Sequence, residues 1–182
     1  MTGKEQSRLV LLAQSGDRHA LDLLLRATQG WLFAYLLNLV RERELTLDVL
    51  QESFLLIYRK LRWLQDPEAY RSWVYRLASR KAFELIRRRR RFESVPLEEQ
   101  EERSEPPPPS IGLRDEIRPK IDRLPPNTRA VIVLHYFEEC SLGEIAEILS
   151  LPVGTVKSRL AYGLGRLRKT LGNTDGWRRT RP

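Results

Sequence analysis

The chain has 182 residues, with 32 Lys and Arg against 24 Asp and Glu for a formal net charge of +8, and 41% of its residues are hydrophobic. That length suits one ordinary domain or two small ones and excludes most large catalytic folds, while the positive balance points to a strongly anionic partner. A single cysteine, Cys140, and two histidines, His19 and His135, exclude an internal disulfide framework and leave too few ligands for a zinc site.

Taken in chain order, helical periodicity predicts segments over Lys4 to Ala13, Asp17 to Leu39, Thr46 to Leu64 and Pro67 to Arg90. The first apolar stretch is interrupted at Gln14, Gly16 and Asp17 and lacks a signal-peptide cleavage pattern. Longer apolar runs such as Trp31 to Leu37 fall short of the ~20 residues of a membrane span, so a cytoplasmic protein without direct membrane insertion is expected. Asp66-Pro67-Glu68 is a helix start: a capping Asp, a Pro tolerated in the first turn, and a Glu at the positive end of the dipole.

Charge then divides the chain. Residues 1–92 carry net +8, residues 93–120 net −4 and residues 121–182 net +4. The acidic stretch Glu93 to Ser110 runs into four prolines, Pro106 to Pro109. Such a composition favours extended chain over helix and reads as a linker. The expected organisation is a helical module over 1–92, a linker over 93–112, a second helical module over 113–172 and a tail over 173–182. Helices are predicted there over Ser110 to Asp122, Pro126 to Glu138, Ser141 to Leu149 and Val153 to Leu171. No strand pair or hairpin signal appears, and the predicted fold is all-α.

In the second module, Ser141-Leu142-Gly143-Glu144 has capping-box spacing. Ile145, Ile148 and Leu149 form an apolar stripe, Leu151-Pro152 forces a turn, and the next helix turns Val156 and Leu160 inward at i, i+4 spacing. Thr155, Lys157, Ser158, Arg159 and Tyr162 remain on its leading half, with Arg166, Arg168 and Lys169 beyond. Two short helices with a tight turn and a polar leading edge meet the requirements of a helix-turn-helix entering the major groove; a helical hairpin with a solvated basic face has the same pattern. In the first module, Tyr70, Trp73 and Tyr75 are interleaved with Arg71, Arg76, Arg80 and Lys81, and Arg87 to Arg91 follow. Flat rings among cations suit unpaired bases and their phosphates, although Trp73, Leu77, Phe83 and Ile86 could equally be core.

The stretch Leu124 to Leu171, and PVGTVKSRL (Pro152 to Leu160) above all, closely resembles region 4 of bacterial extracytoplasmic-function (ECF) sigma factors. DVLQESFLLIYRKL, from Asp48, looks like their region 2.2, and YRSWVYRLASRKAFELIRRRR, from Tyr70, their regions 2.3 and 2.4. The resemblance covers Leu9 to Arg91 and Ile121 to Leu171. It implies a promoter-specificity subunit in two helical domains, with no catalytic residue, metal or cofactor of its own. Its partners would be the RNA polymerase core (the beta-prime clamp helices and the beta subunit), promoter DNA and an anti-sigma factor. Carried over by position, Asp48, Gln51, Glu52, Phe54 and Tyr58 become core-polymerase contacts. Tyr70, Arg71, Trp73, Tyr75, Arg76, Arg80, Lys81, Arg87 and Arg88 become minus-10 contacts, and Thr155, Lys157, Ser158, Arg159, Tyr162 and Arg166 minus-35 contacts. Four positions depart from the family pattern: Ser150, where such turns often have Gly, Tyr162, where Arg is frequent, Arg80, where Asn is frequent, and Lys81, where an apolar residue is common. The competing reading, a stand-alone helix-turn-helix regulator, explains the second module and leaves the first without a task. An enzyme acting on nucleic acid would need clustered acidic metal ligands or a nucleophile with its base, whereas the acids concentrate in the linker. Cys140 is open to two readings, a thiol sensor or an incidental cysteine.

Overall fold

The structure, a computed structural model, describes residues 1–92 and 113–171. The linker expected over 93–112 and the tail over 173–182 lie outside the described residues. Those described are helical with no strand: α1 (Gly3–Gln14), α2 (Arg18–Val40), α3 (Arg43–Lys60), α4 (Tyr70–Phe92), α5 (Leu113–Asp122), α6 (Pro126–Tyr136), α7 (Leu142–Leu149) and α8 (Val153–Leu171). Local chemistry sets most of the boundaries. Thr2 and Glu5 form a capping box that starts α1, and Asp17 accepts hydrogen bonds from the His19 and Ala20 N–H groups to start α2. Between α3 and α4 the chain makes two 3-10 turns, Leu61–Trp63 and Pro67–Ala69, the second capped by Asp66.

The centre of the first module is α2, which packs against α1, α3 and α4. Leu24, Leu32, Tyr35, Leu36 and Leu39 meet Val49, Leu50 and Ile57 of α3 and Val74, Ala78 and Ala82 of α4. Among the described residues α2 is also the one helix long and apolar enough to cross a bilayer; here it is a core helix. Two buried hydroxyl pairs cross this core, Thr28 with Tyr70 at 2.9 Å and Tyr35 with Ser79 at 2.7 Å. Each satisfies groups that would be costly to bury alone. Tyr70 is therefore a core residue, its phenol pushed up to about 12 by burial. The sequence reading placed its ring on DNA. The packing of α4 on α2 and α3 instead turns position 70 inward.

In the second module α6 is buried along almost its whole length, from Thr128 to Leu134. That explains its nearly unbroken apolar run: α8 and α7 cover it within the module, and α2 of the first module covers it as well. Gly163 of α8 makes the close crossing possible, because a Cβ there would lie 2.9 Å from Thr128 Cγ2 and 3.1 Å from two Ile132 carbons. The two modules thus pack on each other, α2 against α6 and α4 against α7. The buried Arg129 ties the seam. Its guanidinium donates at 2.8 Å to the Asp122 carbonyl inside its own module and at 2.8 Å to the Leu39 carbonyl near the end of α2. Beside it Arg41 approaches Asp122 at 3.7 Å.

Candidate nucleic-acid and polymerase interfaces

The helix-turn-helix is built by its caps. The Ser141 N–H donates to Glu144 at 2.8 Å, and the Glu144 N–H donates to the Ser141 hydroxyl at 3.2 Å. At the other end of α7, Ser150 takes the left-handed conformation with φ 54°, and the Leu151 N–H closes the turn on the Ala146 carbonyl at 2.9 Å. Val156 of α8 is buried on its inner face. Lys157, Ser158, Tyr162 and Arg166 are exposed, and Thr155 and Arg159 are half-buried at the edge of the same surface. The Ser158 hydroxyl donates back to the Thr155 carbonyl at 2.9 Å, leaving its oxygen as an acceptor.

The capping box carries a pH-dependent prediction. Hydrogen bonds from the Ser141 hydroxyl and N–H hold the Glu144 carboxyl below its ordinary 4.5. Because the folded value is depressed, this stabilisation is present above pH 4.5 and is lost as pH falls through the folded value. Ser141→Ala should cost about 1 kcal/mol at pH 7, and the gap from the parent should narrow in acid. Thermal unfolding of both proteins across this range is the check, and equal melting at pH 7 would remove the box as a stabilising element.

On the opposite module, α3 presents a continuous exposed stripe: Leu47, Gln51, Leu55 (50% exposed) and Tyr58 (66% exposed), with Asp48 and Glu52 alongside. Asp48, Gln51, Glu52 and Tyr58, the core-polymerase candidates of the sequence, are exposed. Phe54, the fifth candidate, is half-buried against the core. Leu47 and Leu55 were missed, although they lie at i, i+4 and i, i+3 spacing from Gln51 and Tyr58. In an isolated sequence they are indistinguishable from the core stripe of an amphipathic helix.

The basic helix α4 is more selective than its sequence suggests. Tyr75 is 1% exposed, with its ring 4.9 Å from both Trp31 and Tyr35 in edge-to-face contacts, so in this arrangement it is not a stacking surface. Trp73 is half-buried beside Tyr70 at 6.2 Å. Arg71 lies over the Trp31 ring at 5.1 Å and reaches Glu138 of the second module at 3.1 Å. Arg76 is half-buried, while Arg80, Arg87 and Arg88 are exposed. Lys81 turns to Glu52 at 2.9 Å and Glu84 at 3.5 Å rather than standing free for phosphate. An exposed ring just ahead of α4 is one the sequence reading passed over: Trp63, 61% exposed, with the Arg62 guanidinium 4.1 Å above it. Its available signal was an aromatic beside a cation in the polar loop ahead of the Asp66 cap. Where the modules meet, Arg80, Phe83, Ile86 and Arg87 of α4 face Pro126 and Asn127 across a groove of about 560 Å3. Cys140 is half-buried, its thiol pushed up to about 11 by burial and then by the charges of Glu144 and Glu138. It stays protonated near neutrality, which disfavours the sensor reading.

Comparison with known proteins joins these surfaces into one molecule. Residues 24–92 match the Sigma-70 region 2 family and residues 114–167 match Sigma-70, region 4. The RNA polymerase sigma-H factor of Pseudomonas aeruginosa is 32% identical over 94% of this chain and 96% of its own length. The ECF RNA polymerase sigma factor SigW of Bacillus subtilis is 34% identical over 68% of this chain and 74% of its own. The chain belongs to the ECF sigma factors. Two solved structures share the fold of this sigma factor. RpoE in complex with the anti-sigma factor NepR from Bartonella quintana has a TM-score of 0.67 at 21% identity, covering 85% of this chain and 95% of that one. CnrH in complex with the cytosolic domain of CnrY has a TM-score of 0.66 at 24% identity, covering 92% and 97%. This ECF sigma factor directs promoter-specific initiation by core RNA polymerase. The stand-alone regulator is set aside, because the match to region 2 accounts for the module that such a regulator leaves idle.

Proposed function

We propose that this sigma factor divides its work among three surfaces and catalyses no reaction itself. The Leu47–Tyr58 stripe docks on the beta-prime clamp helices of core polymerase, with Asp48, Gln51 and Glu52 as a polar specificity edge. Thr155, Lys157, Ser158, Arg159, Tyr162 and Arg166 meet the minus-35 duplex. Arg71, Trp73, Arg76, Arg80, Arg87 and Arg88, with Trp63 as the open ring, hold the minus-10 strand. Tyr70 supports that surface from below. Strand opening is driven by preference for the unpaired state rather than by nucleotide hydrolysis, and the chain works in the cytoplasm, where core polymerase and promoter DNA meet.

The observation that carries this reading is the separation of surfaces. The exposed apolar stripe lies on α3, whereas the exposed cations assigned to DNA lie on α4 and α8. An anti-sigma factor is the further partner we propose, on the strength of the complexes in which the two structural relatives were solved; the seam groove beside Phe83, Ile86 and Pro126 offers it apolar contact flanked by arginines. The reading is tested by adding the purified chain to sigma-free core polymerase on a library of promoter fragments. Promoter-dependent transcripts support it, and their absence across the library rejects it. Within it, Lys157→Ala and Arg159→Ala should each weaken minus-35 duplex binding by about 1 kcal/mol, roughly fivefold, with unchanged core association. A titration of labelled duplex alongside core pull-down separates the two effects, and loss of core binding would refute the division.

A further inference from the structure

Arg71 and Tyr75 of α4 converge on one oxygen. The Arg71 Nη2 donates at 3.1 Å to Oε2 of Glu138, and the Tyr75 hydroxyl donates to the same atom. Arg71 also contacts the Tyr75 hydroxyl at 3.2 Å and lies over the half-exposed Trp31 ring. The Glu138 side chain is only 9% exposed, and beside it is a cleft of about 120 Å3. The following residue, Glu139, adopts φ 58°, a left-handed conformation that costs a non-glycine residue about 1–2 kcal/mol. The Cys140 N–H then closes the turn on the Leu134 carbonyl at 2.9 Å. A guanidinium and a phenol aimed at a single anionic oxygen, with a flat ring alongside, have the chemistry that receives a phosphodiester oxygen and the base next to it.

We propose that Arg71, Tyr75 and Trp31 form a binding site for one phosphate of unpaired DNA, and that in this closed arrangement Glu138 of the second module occupies it as an intramolecular phosphate mimic. This rests on the reading of α4 as the minus-10 surface and adds its regulation. Strand capture and the closed arrangement exclude each other at this site, so the free chain masks its own single-strand site until the modules separate. Separation is required in any case. Elements centred about 25 base pairs apart lie roughly 85 Å apart along duplex DNA, whereas α7 of the helix-turn-helix here packs directly on α4.

The test uses the full chain without core polymerase and a labelled 20-nucleotide random-sequence single-stranded DNA pool. Glu138→Gln should bind the pool about tenfold more tightly than the parent. Glu139→Gln, which removes the same charge one residue away, should bind it as the parent does. Adding Tyr75→Phe and Arg71→Ala to Glu138→Gln should abolish the gain. An unchanged affinity for Glu138→Gln, an equal gain for Glu139→Gln, or a gain surviving the loss of both Arg71 and Tyr75 would each overturn the mimicry. Transcription by the parent holoenzyme keeps the two readings apart. If it initiates normally while Glu138→Gln changes nothing, the mimic alone is wrong; if it fails to initiate, the promoter reading falls as well.

Discussion

Leu55→Asp should weaken association with core RNA polymerase by about 2–3 kcal/mol, roughly 30- to 160-fold, with little change in the melting temperature of the chain. The side chain is half exposed at the middle of the α3 stripe, between Gln51 and Tyr58, so a carboxylate there costs little in the free protein. In the complex it must be desolvated against the partner helix with no assured counter-charge. Phe54→Ala is the informative contrast. Phe54 packs against the core, so its truncation should lower stability first and affinity only as a consequence. Binding of labelled core polymerase, measured beside thermal unfolding of both variants, separates them. If Phe54→Ala impaired binding at full stability while Leu55→Asp did not, the docking surface would have been assigned to the wrong face.

Arg129→Met should remove about 3 kcal/mol of stability, larger than a typical surface change, because a buried charged donor leaves two carbonyls without its hydrogen bonds. The residue is 4% exposed, and the carbonyls of Asp122 and Leu39 belong to different modules. The variant is therefore expected to do two things at once: loosen the α5–α6 corner and release α6 from the end of α2. Urea unfolding followed together with fluorescence transfer between dyes on α2 and α8 resolves both. An unchanged urea midpoint would show that methionine packing replaces the carbonyl bonds, and a lowered midpoint at constant dye distance would confine Arg129 to its own module.

Much of this organisation is legible in the residues because it depends on neighbours a few positions away. The Ser141–Glu144 box, the Asp66-Pro67-Glu68 start and the Leu151-Pro152 break are local devices, and α7 and α8 fall within a residue of where they indicate. The PVGTVKSRL resemblance then made the second module readable as region 4, in agreement with the family match over 114–167. Where the sequence reading failed, a helix was covered on more than one side. In α4, Tyr70, Trp73 and Tyr75 lie close together among arginines, and packing against α2, α3 and α7 decides which rings are hidden. No single stripe of period 3.6 describes such a helix. The pairing of Lys81 was not legible for a related reason: its partner Glu52 lies on α3, beyond the reach of any local pattern.

By itself the sequence determined an all-α chain, the helix boundaries within a few residues, a helix-turn-helix in the second half and membership in a family of promoter-specificity subunits. These follow from caps, breaks and periodicity, which act over one or two helical turns, and from a motif carried by contiguous residues. Only the tertiary structure decided that Tyr70 and Tyr75 are buried, that Leu47 and Leu55 face outward, and that Arg129 and Glu138 reach across to the other module. Each of those outcomes depends on which surfaces meet after the chain has folded back on itself, a long-range choice made by burial and pairing between residues far apart in sequence.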